Sequence, residues 1–440
     1  MAEGMGITEV IEEQYKPYAK YVVESRAIPR LSDGLKPVQR RVLWVGKRGA
    51  KDLVKVAKLG GATTSLHPHG NTAIEDTISN MAQNFTGTNN IPWFEGKGQF
   101  GSRLTGPGKG IASARYVAVK LSQNFNAIFE HDTDLIKMIP NYDETESEPQ
   151  SFLPIVPPVL LNPIQGIAVG FACNILPRDI EEVKKAQINY LLGKNIKSMK
   201  PYYKGFKGEI VASEKEGQWI TSGVWELKGN TLHITELPIG TNRESFVSHL
   251  DKLEERDIIS GYHDNCKEDF DFLIKLKKKD IDIETTFKLK ANLNENITLI
   301  GFNDEVLERL TDVEVIQKFT DWRFSFYLQR FEKLLEHTDD ELEFRKALLL
   351  VIKKGLFKTF PSQTRKEIVE NLRKHSIKDD HIKRILQIPI YRFGKEEVVK
   401  LENEVKDLEM NKKEYTSLVK SEEKRKDFYV KEIKSLKGIQ

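Results

Sequence analysis

The residues with the clearest chemical potential are adjacent: Arg115-Tyr116, just past the glycine-rich, basic stretch EGKGQFGSRLTGPGKG (95–110). A tyrosine hydroxyl is a weak nucleophile at neutral pH, because its unperturbed pKa is about 10. An arginine beside it stays protonated and matches the shape of a phosphate. Together they have the parts to attack a phosphodiester and to hold the charge that builds in the transition state. An Arg-Tyr pair is equally suited to being a surface cation beside a core aromatic, so its meaning depends on its surroundings.

Those surroundings are basic. Between Arg26 and Lys58 stand ten Lys or Arg, opposed only by Asp33 and Asp52, although the whole chain carries a net charge of only +3. Such a patch is the footprint of a polyanion partner; the alternative is a solvated helix face. HPHG (67–70) brings two histidines but no third ligand at zinc spacing. The 95–110 stretch lacks G-x-x-x-x-G-K-[ST], so a nucleotide P-loop is excluded. Two cysteines, Cys173 and Cys266, exclude a disulfide framework and a cysteine zinc site, and suit a reducing compartment. No apolar run reaches the ~18 residues of a membrane span, and MAEGMGITEV lacks the basic start and apolar core of a signal peptide. These features predict a soluble, cytoplasmic protein with no membrane partner.

The elements that must position the pair are legible in part. VQRRVLWVGKRG (38–49) places Val38, Val42 and Val45 on one helical face. NTAIEDTISNMAQNF (71–85) reads as a second helix, with Ile74, Ile78 and Met81 at helical spacing and Asn71 as N-cap. Two short helices among basic residues suit a helix-turn-helix or winged-helix unit. The acidic NYDETESEPQ (141–150) breaks the pattern, and the prolines of 151–170 exclude a long helix. From about 205 to 300 the spacing is mostly β-like, clearest in TLHITEL (231–237) and FDFLIKLKKK (270–279). Beyond about 313, Phe324, Leu328, Phe331 and Leu335 form a helical stripe, and Leu401, Val405, Leu408, Tyr415 and Val419 follow heptad spacing that Lys412 breaks once. This predicts two long antiparallel helices, the first of about 40 residues or about 60 Å, with a helical knob at about 355–395. The expected fold class is α+β and multidomain, with divisions at 1–145, 146–310 and 311–440.

Four segments occur in order: SRAIPRLSDGLKPVQRR (25–41), HPHGNTAIEDTI (67–78), EGKGQFGSRLTGPGKGIASARY (95–116) and LLNPIQGIAVGFACNILP (160–177). In them the chain resembles the DNA-breakage subunit of type IIA topoisomerases, the gyrase A and topoisomerase IV type. The resemblance implies a winged-helix DNA-gate domain, an α/β tower domain, and a long antiparallel coiled coil with a helical exit-gate tip. It makes Tyr116 the nucleophile that forms a 5′-phosphotyrosyl link, and Arg115 a stabiliser of the transition-state phosphate. Arg26 matches a second arginine with that task, and His69 a histidine that supports the scissile phosphate. Lys36, Arg40, Arg41 and His67 match DNA-backbone contacts, and Ile167 an apolar wedge between base pairs. Thr72 and Asp76 match positions that hold quinolone drugs through a water-coordinated magnesium ion in gyrase-like relatives. EGKGQFGS stands where cellular enzymes carry DGQGNFGS, which keeps the loop's shape and puts its contacts in doubt.

The resemblance also implies double-stranded DNA as substrate, a homodimer, and a partner subunit that carries the ATPase and Toprim modules and binds both ATP and Mg2+. DFDF (269–272) has metal-site spacing but falls in an expected tower strand, so it reads as structural. No room is left for a DNA-wrapping β-propeller tail, so relaxation and decatenation are expected before gyrase-type supercoiling. Two rivals follow from the residues: a non-catalytic architectural DNA binder, and a metal-dependent nuclease. The first needs an incomplete nucleophile set; the second needs acidic ligands, and 26–116 contains few.

Overall fold

The computed structural model describes Tyr15 and residues 22–67, 70–278 and 280–439. Helix α1 (Pro37–Gly49) starts on a proline, whose fixed φ suits a first turn that has no use for its missing N–H. The Lys36 amide donates to Gln39 Oε1 at 2.9 Å. Strand β1 (Val54–Lys55), helix α2 (Val56–Thr63), helix α3 (Asn71–Ala82), strand β2 (Phe94–Lys97) and strand β3 (Ala118–Leu121) follow. The strands pair antiparallel in the order β1-β3-β2. Ile74, Ile78 and Met81 are buried on α3, the face their spacing predicts.

Two local expectations shift. Gly70 rather than Asn71 takes the cap position of α3, and Asn71 is exposed. On α1 the buried face is Arg40, Val42, Leu43 and Gly46, while Val38 and Val45 are half-buried. The cause is ionic: a fully buried Asp33 draws Arg40 inward.

Helix α4 (Gln123–Phe129), capped by Ser122 Oγ accepting from Phe125 N at 3.1 Å, packs Phe125 and Phe129 against Trp93 and Phe152. Two hairpins follow: β4 (Met138–Pro140) with β5 (Ser147–Pro149), and β6 (Ile164–Ile167) with β7 (Ala172–Ile175). Further on, strands Val224–Lys228, Thr231–Glu236, Phe272–Leu276 and Ile259–Asp264 form one antiparallel sheet in that spatial order. Its core includes Leu232, Ile234, Phe272 and Ile274, joined by Phe246 and Leu250 of the helix Arg243–Glu255. Strand Thr231–Glu236 alternates strictly, burying Leu232, Ile234 and Glu236. A mixed α/β unit results, comprising the chain up to Arg323 and the stretch from Val430 onward.

The second unit, Phe324–Tyr429, is helical. The helix Asp312–Lys353, 42 residues long, contributes its later part; its full length is about 63 Å. Helix Lys395–Lys420 returns antiparallel to it, as the ion pairs Asp339–Lys412, Lys346–Glu409 and Lys353–Glu402 show. The buried seam is Tyr327, Phe331, Thr338 and Leu342, with Phe324 and Leu328 half-buried, so the apolar stripe is rotated from the one expected. Aromatic partners explain the rotation: Tyr327 lies 4.5 Å from the Tyr429 ring centroid, and Phe331 meets Phe428 edge-on at 5.0 Å. Phe344, Leu348, Ile368, Leu372, Ile382 and Leu401 form the core of a helical knob. Among the described residues no helix is long and apolar enough to cross a membrane.

Candidate active site and nucleic-acid interface

Tyr116 closes a tight loop, one residue before the buried Val117 and two before β3. Its amide donates to Ser113 O at 2.8 Å. The start of α2 pins the same loop: Val56 N donates to Val117 O and Ala57 N to Ala114 O, both at 3.2 Å. Amides that a helix start leaves without intrahelical partners thus hold the backbone on either side of Arg115-Tyr116. The tyrosine is 66% exposed, and the exposed Arg115 lies over it, guanidinium carbon 5.0 Å from the ring centroid. A second cation attends the residue's backbone, with Lys55 Nζ donating to Tyr116 O at 2.7 Å.

The glycine loop upstream is shaped by its own backbone. Gly101 has φ +86°, and a Cβ there would lie 2.3 Å from Lys109 O. Ala112 N donates to Gln99 O at 3.0 Å across the loop. Arg103, which no motif singles out, anchors it. Its buried guanidinium donates to Thr241 O and Leu237 O, each at 2.9 Å, and to Glu236 Oε1 at 3.1 Å. It also lies 4.6 Å from the Phe270 ring centroid. Burial pulls the Arg103 pKa down, against the opposing charge of Glu236. The one sequence signal is the buried-face position of Glu236 in an alternating strand, which calls for a cation.

The basic segment is more neutralised than its sequence neighbours suggest. Arg40 forks onto Asp33 (Nε–Oδ2 2.6 Å, Nη2–Oδ1 2.8 Å) and also donates to Leu35 O at 2.9 Å. Asp33 in turn accepts from Phe152 N at 3.0 Å. Arg41 forks onto Glu148 (2.5 and 2.8 Å), with Nη1 2.7 Å from His67 Nδ1. Arg30 meets Asp304 at 2.5 Å and Lys47 meets Glu130 at 3.7 Å. Arg26, Arg48, Lys51, Lys55 and Lys58 are exposed. Lys36 is half-buried and donates to Gln165 O; burial lowers its pKa, while the neighbouring Cys173 acts in the other direction.

Ile167 ends β6 at the tip of a two-stranded ribbon and is 87% exposed, the largest value among the exposed large hydrophobics of the described residues. The ribbon abuts the turn that carries the exposed Arg26, so closely that a Cβ on Gly166 would sit 2.1 Å from Ala27 O. Arg26, Lys36 and the Ile167 ribbon are therefore held as one group, Lys55, Arg115 and Tyr116 as another, and Arg41, His67 and Glu148 as a third. Thr72 and Asp76 are exposed one turn apart on α3. His69 lies outside the described residues. Asp269 and Asp271 of DFDF precede the strand expected to hold them and are engaged by Lys207 (2.6 Å) and His233 (2.9 Å). Among the described residues no group of three or more His, Cys, Asp or Glu is placed to hold a metal ion.

The described residues thus expose an Arg-Tyr pair on a pinned loop, several cations and an apolar ribbon tip. The model of the DNA gyrase/topoisomerase IV A-subunit family matches residues 26–434, and the chain belongs to that family. The DNA topoisomerase medium subunit of Enterobacteria phage T4 is 32% identical over 420 residues, covering 91% of this chain and 92% of that protein. DNA topoisomerase 2 of Plasmodium falciparum is 34% identical over 340 residues, covering 74% of this chain and 24% of that protein. The crystal structure of the Plasmodium falciparum topoisomerase II DNA-binding, cleavage and re-ligation domain matches with a TM-score of 0.85 at 28% identity, covering 97% of this chain and 64% of that one. The chain thus spans nearly the whole phage relative and about a quarter of the larger topoisomerase 2.

Proposed function

We propose that this chain is the breakage-reunion subunit of an ATP-dependent type II DNA topoisomerase, acting in the cytoplasm. The observation that carries the reading is an exposed Tyr116, overlaid by Arg115, on a loop pinned by α2 in a chain of this family. The Tyr116 hydroxyl attacks a DNA phosphodiester: its O–H bond breaks as its oxygen bonds the 5′ phosphate, the bond from phosphorus to the 3′ oxygen breaks, and that oxygen takes up a proton in place of the one tyrosine gave up. Because the phosphotyrosyl ester conserves the bond, the 3′ hydroxyl reseals it by the reverse step. Arg115 and Arg26 neutralise the charge on the phosphate, with His69 beside them by resemblance to the family.

The order helix–strand–helix–helix–strand–strand from α1 to β3 supports the winged-helix reading. The sheets of residues 209–300 support a tower, and the paired helices with their knob an exit-gate arm. Two copies, each presenting its own Tyr116, account for a double-strand break. Ile167 enters between base pairs and kinks the duplex, so deformable steps are favoured over a fixed sequence. The exposed cations make binding steeply salt-dependent. Arg40 and Arg41 act from behind the surface, since each is forked onto a buried carboxylate, Asp33 and Glu148 respectively. Mg2+ and ATP belong to a partner subunit with ATPase and Toprim modules, and relaxation and decatenation are the outputs. Thr72 and Asp76 supply the exposed face for drug contact.

The test is Tyr116→Phe, assayed with the cognate partner, Mg2+ and ATP on supercoiled plasmid. Relaxation and detergent-trapped protein–DNA adducts are expected to vanish. Adducts persisting in that variant would overturn the proposal.

A further inference from the structure

Glu148, Arg41 and His67 come from three separate elements and meet as a relay of polar groups. Glu148 lies buried in β5, and its carboxylate takes Arg41 of α1 as a fork, Nε to Oε2 at 2.5 Å and Nη2 to Oε1 at 2.8 Å. The remaining Nη1 lies 2.7 Å from Nδ1 of His67, whose side chain is also buried. A guanidinium offers donors and no acceptor, so His67 Nδ1 accepts this bond. That fixes His67 as the neutral tautomer with its proton on Nε2. Adding a proton at Nδ1 would set N–H against N–H in a buried contact. The hairpin that carries Glu148 is itself tied to the chain entering His67: Asn141 Nδ2 donates to Ser65 O at 3.1 Å, and Asn141 N to Glu146 O at 2.8 Å.

We infer that Glu148 is a positioning residue for DNA breakage: it holds Arg41, and Arg41 locks His67 in the Nε2–H form. The inference rests on the DNA-cleavage reading above. Arg41 works through His67 and not through a phosphate contact of its own. Drawing its guanidinium out to DNA would strand a buried carboxylate, a larger loss than a solvent-facing ionic contact returns. His67 is thereby held in one fixed tautomer before DNA binds.

The test has two readouts on the full-length chain. Long-range 15N–1H spectra, with the His67 ring signals identified by their loss in His67→Gln, report the tautomer. Wild type is expected to show a bare Nδ1 and a protonated Nε2. Glu148→Gln keeps the shape without the charge and is expected to give signals averaged over both tautomers. Glu148→Asp, which restores a carboxylate, is expected to move them back toward wild type. The second readout is the yield of detergent-trapped DNA adduct with the partner subunit, Mg2+ and ATP. Glu148→Gln is expected to lower it about tenfold, the size of one charge-assisted hydrogen bond. A wild-type tautomer in Glu148→Gln overturns the inference, and so does an altered tautomer with a wild-type adduct yield. Should Glu148→Gln not fold, Arg41→Lys carries both readouts, because an ammonium cannot hold the fork and His67 together. The cleavage reading fails separately, through adducts in Tyr116→Phe, and the spectra do not depend on it.

Discussion

Asp33–Arg40, in the unit that carries Tyr116, and Lys346–Glu409, in the helical unit, are both ion pairs of 2.6 Å. The side chains of the first are 0% and 6% exposed, and those of the second 51% and 44%. Equal distance hides unequal consequence. A buried pair sets the cost of losing either partner, because the survivor is a charge without water. An exposed pair is worth about 1 kcal/mol at most and is screened by salt. In the unit that carries Tyr116, buried pairs recur in Arg40–Asp33, Arg41–Glu148 and Arg103–Glu236, and the last two join residues 107 and 133 apart in sequence. Along the helical unit the aromatic and aliphatic seam supplies cohesion, and exposed pairs fix the antiparallel register.

Asp33→Asn is the largest break in this contrast. It leaves Arg40 buried without its carboxylate and removes the charged acceptor of Phe152 N. We expect a loss of about 3–5 kcal/mol, read by chemical denaturation. Lys346→Ala is expected to cost about 1 kcal/mol or less. Comparable costs for the two would mean that burial does not distinguish the regions. Arg103→Met comes next. It strands Glu236 beneath the strand and frees the loop leading to Tyr116, with an expected cost of about 2–4 kcal/mol. Adduct yield is expected to fall alongside; a normal yield would show that the loop is held without Arg103.

Ile167→Ala separates function from stability. A side chain so exposed contributes little to folding, so denaturation should move by no more than about 0.5 kcal/mol. The bend of an end-labelled duplex, followed by energy transfer, is expected to shrink. An unchanged bend would remove the wedge from the proposal.

The same contrast explains what was legible in the sequence. Local patterns read well where one periodicity decided burial: Ile74, Ile78 and Met81 on α3, Leu232 and Ile234 in their strand, and a long helix of about the expected length. Tyr116, Arg115 and Ile167 were singled out by motif alone, and all three are exposed. What stayed hidden was the pairing of charges across long separations. Arg41 and Glu148 lie 107 residues apart, Arg103 and Glu236 133. No local window carries that information, so Glu148 and Glu236 could not be read as the partners of Arg41 and Arg103. The seam of the helical unit was rotated for a related reason: Tyr429 and Phe428, remote in sequence, chose Tyr327 and Phe331 as partners.

The smallest expected effect concerns the exposed pairs alone. Hydrogen bonding and charge from Lys353 and Lys346 hold the Glu402 and Glu409 carboxyls below their ordinary value. A carboxyl depressed in the folded state adds stability above its unfolded pKa of about 4.3, and that stability is lost as pH falls through the folded value. The helical unit should therefore hold a level melting temperature from pH 8 to about 5 and lose a little below about 4. Glu402→Gln with Glu409→Gln should flatten that acid slope, and 1 M salt should mimic the double variant at neutral pH. Asp33→Asn should not respond to salt in this way, because its partner is out of reach of counterions. A salt-sensitive penalty at Asp33, or a salt-blind one at Glu409, would erase the distinction between buried charge in the unit that carries Tyr116 and exposed charge that registers the paired helices.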